Sequence, residues 1–309
     1  MVPVEKLIAK AEVLVESLPY IRKFAGKTFV IKYGGHAMIN EELKEKVAVD
    51  IILLKYIGIN PVLVHGGGKE INRWSRKINK ESVFAGGLRV TDAETMELAE
   101  MVLSGKVNRE IVSLINSHGG KAVGLSGRDA NMFVADRLPP QKITVNGEEE
   151  LVDLGLVGEI STVNADIIDA LIRQDYIPVV SSIGVDSKRH EGLNINADCA
   201  AGELASALKA EKLILLTNIE GIMADPNGEH QNLISILDRK SATQMIADGR
   251  INEGMIPKVQ ACLRALENGV LRTHIIDGRT HHSLLLEIFT DEGIGTMVVG
   301  EKHGKDEEL

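Results

Sequence analysis

The chain has 309 residues, 44% hydrophobic and 26% charged, with a formal net charge of −9. That length suits one large α/β unit or two fused lobes, and the composition is that of an ordinary soluble globular chain. An aromatic content of only 3% argues against base stacking as a main activity. The acidic balance argues against a nucleic-acid or membrane surface, either of which would attract a basic field, and leaves small-molecule chemistry with locally placed cations as the expectation.

Val4, Leu7, Ile8, Ala11, Leu14, Val15 and Leu18 recur at helical spacing, so residues 1–24 read as an interaction helix with one apolar stripe, bent or ended near Pro19. No basic segment leads into an uninterrupted apolar run there, so export is not expected. Short apolar runs at 28–33, 61–65, 121–125, 177–181, 212–217 and 272–276 read as buried strands, most of them followed by a helix. The helix over 40–56 opens on Asn40 with Glu41 and Glu42 in its first turn and stops before Gly58. Thr91-Asp92-Ala93-Glu94 has capping-box spacing and opens a helix running through Met96 and Leu98 to Met101. Over 141–159 short alternating runs and polar turns replace this pattern and predict a β insertion.

Repeated strand–helix–strand units with right-handed crossovers predict an α/β three-layer sandwich around an open, mainly parallel sheet, with ligands at the carboxyl ends of its strands. A soft boundary near Ser182 divides a lobe dominated by substrate-like motifs (25–181) from one dominated by nucleotide-like motifs (182–309). Cys199 and Cys262 have neither metal-ligand nor redox-motif spacing and read as packing residues in a reducing, cytoplasmic setting.

Two glycine turns follow predicted strands: Lys32-Tyr33-Gly34-Gly35 and His65-Gly66-Gly67-Gly68. Small residues let backbone N–H groups approach an anion near the positive end of a helix. Downstream lie Asn194-Ile195-Asn196-Ala197-Asp198 and Gly254-Met255-Ile256-Pro257-Lys258. Phosphoryl transfer needs backbone N–H groups and fixed cations around three charged oxygens, and this set supplies both. Neither turn has the spaced dinucleotide fingerprint, and Gly66-Gly67-Gly68-Lys69 is followed by Glu70 where a P-loop needs a hydroxyl. His65 reads as a structural histidine, Lys69 as a surface charge and Asn196 as a turn residue. Taken alone, Asp198 reads as a helix cap or first-turn acid.

With these motifs the chain resembles the amino acid kinase family over nearly its whole length, and within it the members that phosphorylate N-acetylglutamate. The resemblance implies that Lys32 and Lys258 stabilise the transferring phosphoryl group and that Asp198 holds the two lysines. It implies acceptor contacts from Gly67, Gly68, Arg89 and Asn194, with Arg89 in Gly87-Leu88-Arg89-Val90-Thr91-Asp92 gripping a carboxylate as a bidentate donor. Gly34 and Gly35, with Thr217, Asn218 and Gly221, correspond to the nucleotide side; Asn218 stands where many relatives carry aspartate, and Glu253 where they often carry glycine. ATP with bound Mg²⁺, N-acetyl-L-glutamate as acceptor and no protein-held metal complete the expectation. The segment 82–90 would close as a lid, since water would destroy an acyl phosphate.

The N-terminal stripe resembles the extension by which some relatives interlace dimers into a ring of six and respond to L-arginine. In that subset Tyr20, Lys212, His274, Glu287 and Gly293 would line the effector site, with Glu287 pairing the guanidinium. Three other readings stay open: a kinase for a related carboxylate such as carrier-bound aminoadipate, a non-catalytic arginine sensor on a kinase fold, and a nicotinamide enzyme.

Overall fold

The computed structural model describes residues 3–38, 40–145, 148–224, 232–252 and 254–300. One eight-stranded sheet runs through it. From edge to edge the order is Ile236–Asp238, Thr296–Val299, Arg272–Asp277, Lys212–Thr217, Thr28–Tyr33, Asn60–His65, Ile177–Ser181 and Ala122–Ser126. All neighbours pair in parallel except Arg272–Asp277 with Thr296–Val299.

Alternate strand residues face opposite ways, which splits the core in two. Phe29, Ile31, Leu63, Val179, Ile214, Leu216 and Ile276 pack on one face with Ile51 and Leu54 of helix Glu41–Tyr56 and with Leu103, Ile111 and Ile115. Val30, Val62, Val64, Val180, Leu213, Leu215 and Ile275 face Ala200 and Leu204 of helix Ala197–Ala207 and Val259 and Cys262 of helix Ile256–Glu267. Helix, sheet and helix are therefore the three layers expected of a fully buried parallel sheet.

The six predicted strands all form. Two strands at one side of the sheet were not anticipated, the edge strand Ile236–Asp238 and its neighbour Thr296–Val299; the first has three residues, too few to show a period. Equally unforeseen is a small closed barrel of Phe133–Arg137, Val157–Val163, Ile183–Asp186 and Gly192–Ile195 beside the main sheet. The insertion appears as the hairpin Gln141–Val145/Glu148–Val152. Asn40 caps its helix by accepting from Leu43 N at 3.0 Å. The capping register one turn before Met96 shifts by a residue: Asp92, not Thr91, accepts from Thr95 N at 2.8 Å. Helix Ala93–Glu100 then passes into a wider π-helical stretch, Met101–Val107, and on into helix Asn108–Ser117.

Ahead of the first strand, helix Val4–Glu16 stops at Ser17 and Leu18–Phe24 restarts with Pro19 in its first turn. Val4, Leu7, Ile8, Leu14, Val15 and Leu18 are exposed and share one face at helical spacing, with Val13 exposed on the other side. Among the described residues, no helix is long and apolar enough to cross a membrane.

Candidate active site

The order in which strands are added reverses at the first strand: the chain moves from Thr28–Tyr33 to Asn60–His65 on one side and later to Lys212–Thr217 on the other. Such a switch point opens a crevice at the carboxyl ends of the strands. Lys32 lies at that end, and its side chain folds over Gly34, where a Cβ would stand 2.7 Å from the ammonium nitrogen. Gly35 takes a positive φ of 73° and its missing Cβ faces the backbone of Thr217 and Asn218, so the first glycine turn and the loop after Lys212–Thr217 are neighbours. The Thr217 hydroxyl donates to the Ile219 carbonyl at 2.9 Å and thereby shapes that loop.

Asp198 sits in the first turn of helix Ala197–Ala207, whose cap is Asn196: its side-chain oxygen accepts from Asp198 N (2.8 Å) and Cys199 N (3.3 Å). Pro257 starts helix Ile256–Glu267, in which Lys258 is a first-turn residue. The two helices pack closely because Gly202 has no side chain; a Cβ there would lie 3.2 Å from the Ala261 carbonyl oxygen. That approach brings Asp198 between two cations. Lys258 Nζ donates to Oδ2 at 2.9 Å, and Lys32 Nζ pairs with Oδ1 at 3.0 Å as an ion pair lacking hydrogen-bond alignment. Burial alone would raise the Asp198 pKa, but the Lys32 and Lys258 charges outweigh it and hold the carboxyl down to about 2. Glu253 lies outside the described residues.

The second turn supplies the other wall. Gly66 abuts Ala197, with 3.2 Å between the Ala197 Cβ and the position of a Gly66 Cβ, so this turn meets the start of the Asp198 helix. Arg89 reaches Gly68 from hairpin Phe84–Ala85/Leu88–Arg89, whose tip, Gly86 and Gly87, has two positive φ angles as tight hairpins require. Its guanidinium donates to the Gly68 carbonyl (3.0 Å), Asn72 Oδ1 (2.6 Å) and Ser82 Oγ (3.0 Å), and stacks on Phe84. Asn194 donates to Thr91 Oγ1 at 3.2 Å, two residues beyond Arg89. A cavity of about 1200 Å³ borders Gly35, Gly67, Gly68, Asn72 and Phe84. Two glycine turns, two lysines on one carboxylate and a buried arginine suit the transfer of a phosphoryl group to an anionic acceptor.

The amino acid kinase family matches residues 27–277. The chain belongs to the amino acid kinase family. It is 57% identical over 289 residues to the acetylglutamate kinase of Pelotomaculum thermopropionicum, covering 94% of this chain and 97% of that one. To the acetylglutamate kinase of Methanocaldococcus jannaschii it is 55% identical over 293 residues, 95% of this chain and 97% of the other. Among solved structures, N-acetylglutamate synthase from Neisseria gonorrhoeae, complexed with coenzyme A and N-acetyl-glutamate, superposes with a TM-score of 0.79 at 26% identity. It matches 94% of this chain, which spans 63% of the synthase. Carbamate kinase from Giardia lamblia, at 18% identity and a TM-score of 0.64, shares the fold over 90% of this chain and 99% of its own. As an amino acid kinase the protein is an ATP-dependent phosphotransferase.

Away from the crevice, this amino acid kinase gathers a second set of polar residues at the opposite end of the strand that leads to Thr217. Lys212 Nζ lies 2.9 Å from His274 Nε2, and His274 Nδ1 lies 2.6 Å from Glu287 Oε1. Glu287 Oε2 accepts from Ile294 N and Gly295 N, while Gly293 leaves no room for a Cβ, which would sit 2.9 Å from that oxygen. Burial lowers the His274 pKa to about 4, reinforced by Lys212, so the ring is neutral at pH 7 and passes a hydrogen bond from lysine to glutamate. Burial also lowers the Lys212 pKa to about 8. Tyr20 stands at the edge of this group, bonded to Asp291 and packed edge-on against Phe289. Sequence reasoning missed Ser82, Asn72 and Phe84 around Arg89: Ser82 and Phe84 lie inside the proposed lid but carry no spacing of their own, and Asn72 is one polar residue on an amphipathic helix.

Proposed function

We propose that the chain transfers the γ-phosphoryl group of ATP to the γ-carboxylate of N-acetyl-L-glutamate, giving N-acetyl-L-glutamyl 5-phosphate and ADP on the route to arginine. The observation that carries this is the Asp198 carboxylate spanning Lys32 and Lys258 at 3.0 and 2.9 Å beside a glycine turn held to Arg89; the acetylglutamate kinases named above support the choice of acceptor. A carboxylate of ordinary pKa, about 4.3, is already ionised and needs no base. Asp198 is accordingly an organiser, both its oxygens being engaged by ammonium groups. Lys32 and Lys258 offset repulsion between an anionic nucleophile and an anionic donor and follow the charge as the phosphoryl group moves.

Arg89 takes the α-carboxylate of the acceptor, Asn194 its amide end, and the Gly67 and Gly68 backbone the incoming anion. Gly34, Gly35, Thr217, Asn218 and Gly221 form the nucleotide side, so residues 25–181 act as acceptor and dimerisation lobe and 182–309 as nucleotide lobe. Among the described residues, no three His, Cys, Asp or Glu side chains cluster to hold a metal; Mg²⁺ is assigned to the nucleotide, whose phosphate charge it neutralises when bound. The Arg89 hairpin is the lid. Unpaired thiols at Cys199 and Cys262 suit a cytoplasmic setting.

L-arginine is the effector we assign to Lys212, His274, Glu287, Gly293 and Tyr20, the Glu287 carboxylate supplying the negative charge that pairs the guanidinium. The Neisseria synthase has been solved with L-arginine. The exposed stripe on Val4–Glu16 supports pairing with a second copy, linking dimers into a hexamer. ADP release with ATP, Mg²⁺ and N-acetylglutamate, against glutamate and aminoadipate, tests the reaction. Absence of ADP with N-acetylglutamate overturns it.

A further inference from the structure

His65 and Asn108 are both fully buried, with no exposed surface, directly beneath the second glycine turn. Asn108 Nδ2 lies 2.9 Å from the Val179 carbonyl, 3.3 Å from the Leu125 carbonyl and 3.0 Å from His65 Nε2. An atom facing two carbonyl oxygens is the amide nitrogen, and Arg109, donating to Oδ1 at 2.7 Å, fixes the same orientation. His65 Nε2 is therefore an acceptor, the ring proton is on Nδ1, and that N–H donates to the Gly66 carbonyl at 2.9 Å. Through its main chain the turn is tied to the ends of three strands.

A trans peptide is planar, so a carbonyl drawn toward the core turns the N–H of the same unit the other way. The unit pinned by His65 joins Gly66 to Gly67. Its N–H, that of Gly67, consequently points away from the buried ring, and Gly67 itself borders the cavity described above. Two further features hold the arrangement. Leu103 and Val107, on the π-helical stretch just before Asn108, press on Gly67, where a Cβ would lie 2.5 Å from Leu103 Cδ2; helix widening of this kind recurs beside functional sites. Gly124 clears the space for the amide, since a Cβ there would sit 1.9 Å from Asn108 Oδ1.

We propose that His65, oriented by Asn108, is a positioning residue for phosphoryl transfer: it fixes the Gly66–Gly67 peptide so that the Gly67 N–H is aimed at the phosphoryl group in flight. This rests on the phosphoryl-transfer reading above. His65 touches neither reactant, and its buried, neutral ring exchanges no proton with them.

The test compares His65→Asn, whose amide can replace Nδ1–H, with His65→Leu, which cannot donate. His65→Leu should lower kcat by about 10- to 100-fold with both KM values within about threefold, because a donor aimed at developing charge acts on the transition state rather than on ground-state binding. His65→Asn should recover most of that loss, and the kcat profile of every variant should show no ionisation assignable to position 65. A crystal structure of His65→Leu should show the Gly66 carbonyl rotated from its present direction. Equal losses in the two variants, a loss confined to KM, or an unmoved Gly66 carbonyl would overturn the proposal. Wild-type protein that makes no ADP from N-acetylglutamate sinks the acceptor assignment instead, and the Gly66 carbonyl direction still decides the positioning role.

Discussion

Replacing Asp198 by Asn keeps the size and the cap geometry of the helix start while removing the charge between Lys32 and Lys258. The carboxyl is held at about 2 against a reference of 3.8, and at about 1.36 kcal/mol per unit this is about 2 kcal/mol of differential stabilisation of the ionised form. Because the folded pKa is depressed, that stability is present above the unfolded pKa and is lost as pH falls through 3.8 toward 2. Leaving two partly exposed ammonium groups, with Lys32 at 11% and Lys258 at 20% side-chain exposure, without their counter-ion costs about 3 kcal/mol near neutral pH, the low end for a buried pair. The lysines should also separate, and loss of placed cations at the developing charge should lower kcat by about 10²- to 10³-fold. Coupled ADP release gives the rate, and urea unfolding at a series of pH values gives the stability. The stability gap between wild type and Asp198→Asn should shrink as the wild-type carboxylate is protonated. A variant with kcat within about threefold of wild type, or a gap independent of pH, would refute the organising role.

Arg89→Lys should raise the acceptor KM by about 10- to 100-fold with a smaller effect on the ATP KM, because an ammonium cannot span Ser82, Gly68 and Asn72 and still offer a planar pair to a carboxylate; steady-state kinetics with each substrate varied checks it. Glu287→Gln should move the arginine concentration for half-inhibition up by at least about tenfold, read as the ratio of rates with and without arginine, since an uncharged amide replaces the carboxylate facing the guanidinium. A wild-type rate insensitive to arginine would remove the effector assignment altogether. A chain lacking residues 1–24 should sediment as a dimer, whereas persistence of hexamers would show that the apolar stripe is not the linking surface.

The strands and glycine turns of the crevice were legible because a buried parallel strand writes a local signal: an apolar run closed by small residues, as in 28–35 and 61–68. Asp198 was ambiguous by itself and became readable through its company with two lysines. What escaped was set by distant packing. Nothing near Asn108 marks it as the residue facing His65, since the wide helical turn that precedes it breaks the 3.6-residue register on which a burial pattern depends. His281 and His282 are adjacent in the chain, yet the structure separates them, His281 near Glu42 and His282 at 2.5 Å from the fully buried Asp50. The barrel was missed because its four short strands pair across intervening elements.

Residues 32, 198 and 258 meet at one carboxylate although they lie in a central strand and two separate helices. During synthesis the first lysine emerges long before the second, and until helix Ile256–Glu267 docks against Ala197–Ala207 the carboxylate has only one of its cations. A chain ending before residue 258 lacks the second lysine together with helix Ile256–Glu267 and strands Arg272–Asp277 and Thr296–Val299, so its centre is incomplete and the lysine pair exists only once the last part of the fold has closed.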